Sequence, residues 1–127
     1  YVEQVQVDGK SNLTLIGVGE VTIKAPADVV ETARSSSDRE MHSVVTIENA
    51  TNIKLDNINV DGDGRGDTVD EGGGTGQAQF TGVFVRNASA TLEDVDITGV
   101  RDPYAPGTTT GTGDPVVSGV QRGVALQ

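Results

Sequence analysis

The sequence predicts an all-β chain built as a parallel β-helix, a solenoid of short stacked strands. Three observations carry that prediction. Apolar–polar–apolar triplets recur along the chain, they recur at a nearly constant spacing, and asparagine falls at equivalent bends between them. Composition agrees. Apolar residues make up 35% of the 127 positions and aromatics 3%, alongside 17 glycines. A conventional aromatic core is therefore excluded, and short strands joined by turns are favoured over long helices.

The clearest repeat sets Val45-Thr46-Ile47, Ile53-Lys54-Leu55 and Ile58-Asn59-Val60 beside Val83-Phe84-Val85, Ala90-Thr91-Leu92 and Val95-Asp96-Ile97. The second and third triplets are offset by 37 residues, as from Leu55 to Leu92, and the first by 38, because one turn is a residue shorter. A looser copy precedes them at Val5-Gln6-Val7, Leu13-Thr14-Leu15 and Val21-Thr22-Ile23, and a further one opens at Val124-Ala125-Leu126. Period 2 in every triplet is strand alternation with one face buried, and no triplet is long enough for a stable hairpin alone. Three such strands make one rung, and rungs stack at roughly 4.8 Å. This predicts three inward columns: Val7, Ile47, Val85 and Leu126; Leu15, Leu55 and Leu92; Ile23, Val60 and Ile97.

The turns support the same register. Asn49 and Asn87 fall at equivalent corners, and Asn57 and Asp94 share the bend before the third strand; both residue types tolerate left-handed backbone angles. The three Asn-x-Ser/Thr sequons, at Asn12, Asn49 and Asn87, all lie at such corners and read as turn chemistry first. Long excursions follow each third strand: Lys24 to Ser43, Asp61 to Thr81, and Thr98 to Arg122. The first contains Ala27 to Arg34, where a short helix is expected. Leaving from one corner, the excursions should cluster on one side, where a repetitive scaffold places its functional contacts.

The net charge of −10 disfavours nucleic acid and anionic lipid as partners. The absence of cysteine excludes disulfides, thiolate metal sites and a catalytic thiol. No apolar run approaches the roughly 20 residues that span a bilayer.

The opening Tyr1 to Val7, then Asn12-Leu13-Thr14-Leu15-Ile16-Gly17-Val18-Gly19 and Val21-Thr22-Ile23, resemble the early coils of pectinesterases within the pectin-lyase-like superfamily of right-handed parallel β-helices. Val45 to Val60 and Val83 to Gly99 resemble its generic repeats. The resemblance implies a right-handed solenoid of about three to four rungs, a secreted or cell-surface location, and polysaccharide bound along the outer face of the first sheet. Enzymes of the superfamily use paired aspartates there, with a glutamine and an arginine in the esterases, or with Ca²⁺ and a basic residue in the lyases. No such aspartate pair falls on outward first-sheet positions of adjacent rungs in this chain.

Two groups of candidate residues emerge. Outward first-sheet positions place Glu48 beside Arg86, with Phe84 as a stacking face and Tyr104 from the third excursion as a second aromatic. The first three are read as a sugar-binding strip, against the plainer account of a surface ion pair beside a loop-covered phenylalanine; Tyr104 is read as a further stacking residue, against a loop simply anchored by Pro103 and Pro106. Asp61, Asp63, Asp67, Asp70 and Glu71 in the second excursion alternate with glycine, a pattern that wraps a weakly held Ca²⁺. Against this, Arg65 stands where a further oxygen donor belongs, and a solvated acidic loop is the plainer account. Arg65-Gly66-Asp67 also spells an adhesion tripeptide, a match short enough to arise by chance. His42, the sole histidine, marks re-entry into a rung and lacks the partners of a catalytic triad.

Two functions follow. One is a non-catalytic segment of a secreted or cell-surface protein that displays loops for glycan binding or adhesion. The other is part of a polysaccharide lyase, esterase or epimerase. The missing catalytic pair favours display. Residues 1–127 are expected to form one segment of a longer solenoid, stacking on further rungs or self-associating end to end through Val124-Ala125-Leu126, because no cap is visible at either end.

Overall fold

A computed structural model describes residues 1–68, 78–101 and 120–127. The described residues are all-β, with three parallel sheets, one short 3-10 turn (Arg65–Thr68) and no α-helix. The strands in chain order are β1 (Val5–Asp8), β2 (Ser11–Ile16), β3 (Thr22–Lys24), β4 (Ala33–Arg34), β5 (Glu40–Glu48), β6 (Thr51–Asp56), β7 (Asn59–Asp61), β8 (Gln79–Arg86), β9 (Ala90–Glu93), β10 (Ile97–Thr98) and β11 (Val120–Leu126). Each sheet takes one strand from each successive repeat. The first is β1-β5-β8-β11, the second β2-β6-β9, and the third β3-β7-β10. Every pair along these paths is parallel.

The registers agree with the columns expected from the triplets. Val7 pairs with Ile47, Ile47 with Val85, and Val85 with Leu126. Leu15 pairs with Leu55 and Leu55 with Leu92, while Ile23 pairs with Val60 and Val60 with Ile97. Burial follows position in the stack: Leu55 and Val60 are fully buried, whereas Leu15, Leu92 and Ile97 are half-buried. Leu126 keeps the expected register but is 74% exposed, since among the described residues no strand pairs with the far edge of β11.

The corners work by side-chain chemistry. Asn12, Asn49, Asn52, Asn57, Asn87 and Asp94 all have φ between 46° and 56°, the left-handed region that asparagine and aspartate enter most cheaply among residues with a Cβ. Asn87 Nδ2 donates to Asn49 Oδ1 at 2.9 Å, and Asn49 Nδ2 donates to Asp8 Oδ1 at 3.0 Å. A second ladder joins Asn52 Nδ2 to Asn12 Oδ1 at 2.8 Å. Asn57 Nδ2 donates to the carbonyls of Gly17 and Gly19. These bonds tie the asparagine corners to the repeat beneath.

Two expectations need correction. Ala27 to Arg34 forms no helix; Ala33–Arg34 is β4, antiparallel to Glu40 and Met41 of β5. The backbone of this segment is spoken for laterally. Gln4 clamps Val30, accepting from its N–H and donating to its carbonyl, and Thr32 N–H donates to Met41 O. Pro26 and the β-branched Val29, Val30 and Thr32 further oppose helix.

The second correction concerns the first sheet, whose repeat strands after β1 begin before the triplets. β5 starts at Glu40 and β8 at Gln79, which brings His42 inside a strand rather than at its entry. Alternation breaks where this extension joins the repeat, because the consecutive Val44 and Val45 are both fully buried in one apolar cluster. Opposite them Gly82 is required. A Cβ there would lie 2.4 Å from Ile97 Cγ2 and 2.8 Å from Gly123 O.

Candidate functional site

The outward face of the first sheet brings Glu48 and Arg86 together, as their register demands. Arg86 Nε lies 2.7 Å from Glu48 Oε1, a close charge pair that is not an in-line hydrogen bond. Arg86 Nη1 also donates to the Arg34 carbonyl. The guanidinium is thus committed to its own fold on two sides. Phe84 does not present the stacking face expected of it. It is fully buried with Met41 and Ala125, and Ala33 packs against the three. Met41 reaches Phe84 from the unforeseen extension of β5, so the outward column is apolar and covered at this level. Outward hydroxyls are also paired inside the protein, Ser43 with Thr81 at 2.6 Å and Thr46 with Thr32 at 2.8 Å. Tyr104 lies outside the described residues.

The acidic second excursion is described as far as Thr68. Asp61 Oδ1 accepts the N–H of Asp63 at 2.8 Å, turning the chain at Asp63 and Gly64, whose φ values are 52° and 67°. Lys24 Nζ lies 2.7 Å from Asp63 Oδ1, and Arg65 Nη2 lies 2.8 Å from Asp63 Oδ2. The Lys24 hydrogen bond, reinforced by Arg65, holds the Asp63 carboxyl below the usual carboxylate range. The same contact raises the Lys24 ammonium above its ordinary value. Both oxygens of Asp63 therefore already face protein cations, and an incoming Ca²⁺ would have to compete with both. Asp67 lies in the 3-10 turn, while Asp70 and Glu71 fall outside the described residues.

A different acidic group was missed by sequence reasoning. Asp56 of β6 and Glu93 of β9 are register partners, and Asp94 follows at the bend. One carboxylate oxygen from each lies within 4.8 Å of the others. Lys54 Nζ bridges Asp56 and Glu93 at 2.8 Å to each. Its hydrogen bond to Asp56, then that to Glu93, pushes the ammonium above the ordinary lysine range. The repeat offset carried a signal for the Asp56–Glu93 pair, but the bridging role of Lys54 had none. The cluster can accept a cation, and Lys54 supplies one.

His42 is buried. Its Nδ1 lies 3.2 Å from the Val29 carbonyl and its Nε2 lies 3.7 Å from Glu40 Oε2. Among the described residues no hydroxyl nucleophile joins this pair in a hydrogen bond, so the arrangement is not that of a hydrolytic triad. No helix among the described residues is long and apolar enough to cross a membrane.

Comparison of the chain with protein-family models, with curated proteins and with solved structures found no match.

Proposed function

We propose that the three parallel sheets are the faces of a right-handed parallel β-helix, and that this chain is a display segment of a secreted or cell-surface protein whose long connections after β7 and β10 contact glycans. One observation carries the reading. Within a repeat, strands are joined by short corners, as from Asp8 to Ser11 or Glu48 to Thr51. Each long connection instead runs from the third sheet to the first: β3 to β5, β7 to β8, and β10 to β11. Length is concentrated at one edge of a scaffold whose other corners are tied by asparagine ladders, and such connections are where a repetitive fold carries recognition. The outward charges in view are paired within the protein, Glu48 with Arg86 and Lys54 between Asp56 and Glu93, as in a supporting surface. A polysaccharide ligand suits connections rich in glycine, threonine and aspartate better than a nucleic acid does, given the net charge of −10.

The test is a screen of the intact chain against acidic and neutral polysaccharides, scored for binding and for bond cleavage. It is repeated with residues 62–77 and 102–117 each replaced by a short Gly-Asn linker. Binding without cleavage that disappears on replacement supports display. Binding unchanged by both replacements overturns it, as does absence of binding across the screen, and cleavage by the intact chain points to the lyase, esterase or epimerase reading instead.

A further inference from the structure

We propose that Asn12 is a site of N-linked glycosylation in this protein, and that the corner ladders shield the other two sequons. The proposal rests on the secreted or cell-surface placement above. All three sequon asparagines are exposed and all three have left-handed backbone angles, so neither accessibility nor local backbone separates them. Hydrogen bonding does. An N-linked glycan attaches at Nδ2 of Asn-x-Ser/Thr and replaces one of its two hydrogens, so a sequon whose Nδ2 makes no hydrogen bond presents that nitrogen most readily.

At Asn87 the Nδ2 donates to Asn49 Oδ1, and the sequon hydroxyl is engaged too, since Ser89 Oγ accepts the N–H of Asn52 at 2.8 Å. At Asn49 the Nδ2 donates to Asp8 Oδ1. Asn12 differs from both. Its Oδ1 accepts from Asn52, whereas its Nδ2 donates to no described residue. Substitution on Nδ2 leaves Oδ1 in place, so Asn12 can carry a glycan with its ladder bond intact. At Asn49 and Asn87 one Nδ2 hydrogen is already held by a neighbouring side chain, which stands against the nitrogen that the sugar must reach.

The transfer balances as follows. The Nδ2 of Asn12 forms a C–N bond to the anomeric carbon of a sugar carried on a polyprenyl phosphate or pyrophosphate. The bond from that carbon to the phosphate oxygen breaks, the phosphate keeps the electron pair, and Nδ2 gives up one proton.

The experiment uses purified folded protein, a single-subunit oligosaccharyltransferase and a lipid-linked oligosaccharide, with occupancy at each sequon read by peptide mass spectrometry. Synthetic peptides of equal length spanning each sequon report intrinsic acceptor strength. The expected result is that all three peptides accept. In the folded protein Asn12 should exceed Asn49 and Asn87 by roughly fivefold or more, the factor set by one net hydrogen bond. Asp8→Ala, which removes the acceptor for Asn49, should raise Asn49 towards the level of Asn12 and leave Asn87 low. Equal occupancy of the three in the folded protein, an unmodified Asn12, or no response of Asn49 to Asp8→Ala would overturn the proposal. None of these outcomes touches polysaccharide binding, so the display reading stands or falls separately.

Discussion

The side-chain amide of Asn87 donates to the side-chain oxygen of Asn49 across 2.9 Å, and through that bond two corners 38 residues apart become one column. Both residues sit near φ = +50°. Asparagine therefore does two things here: it accepts the left-handed turn and it links one level to the next.

Substitution separates these roles. Asn49→Gly keeps the turn and loses both ladder bonds, to Asp8 and from Asn87, at an expected cost of about 2 kcal/mol. Asn49→Ala loses the ladder and must also hold a left-handed angle, adding roughly 1–2 kcal/mol. Urea unfolding of the two variants checks this. Equal costs would show that the backbone angle is not under strain.

Leu55 is fully buried between Leu15 and Leu92, which are half-buried. Leu55→Ala should cost roughly 2–5 kcal/mol, and Leu15→Ala and Leu92→Ala distinctly less, because their sites are open on one side. Chemical denaturation of the three variants gives the ranking. A Leu55→Ala cost no larger than that of Leu15→Ala would contradict the order of packing.

These features were legible in the sequence because they repeat. The Leu55–Leu92 column and the Asn49–Asn87 corner each show themselves as one residue type in one pattern at one spacing. The unrepeated contacts were not legible. Nothing in the triplets foretells that Met41 would bury Phe84, that Gln4 would clamp Val30 and so deny Ala27 to Arg34 a helix, or that Lys54 would bridge Asp56 and Glu93. Each of these joins a periodic position to a segment with no period, or depends on the conformation of a long side chain. The Glu48–Arg86 pairing was foreseen from register, whereas the anchoring of Arg86 on the Arg34 carbonyl required the unforeseen β4. The candidate sugar strip failed at Phe84 for the same reason.

Acid should loosen the second excursion. Asp63 has its pKa lowered, first by the hydrogen bond from Lys24. Its contribution to stability is therefore complete above the unfolded carboxylate value of about 3.9. It is lost as pH falls through the lower folded value, where the unfolded state binds the proton more readily. Denaturation midpoints measured from neutral pH to below pH 3 should fall less steeply for Asp63→Asn than for the parent chain. Parallel acid profiles would show that the pair with Lys24 adds nothing.

Salt should act in the opposite sense. With a net charge of −10, self-repulsion is felt at long range in dilute buffer, where the Debye length is about 30 Å at 0.01 M, and is screened at about 3 Å in 1 M salt. The melting temperature should rise with NaCl across that range. A flat or falling trend would mean that the local pairs of Lys24, Lys54 and Arg86 outweigh the excess charge.

The stacking of three parallel sheets, on which the display reading depends, is tested most directly by methyl nuclear Overhauser effects with leucine labelling. The account predicts that the methyls of Leu55 show contacts to those of both Leu15 and Leu92, with Leu15 and Leu92 showing none to each other. Contacts of Leu55 confined to its own repeat, or a helical pattern of amide contacts through residues 51–56, would contradict it.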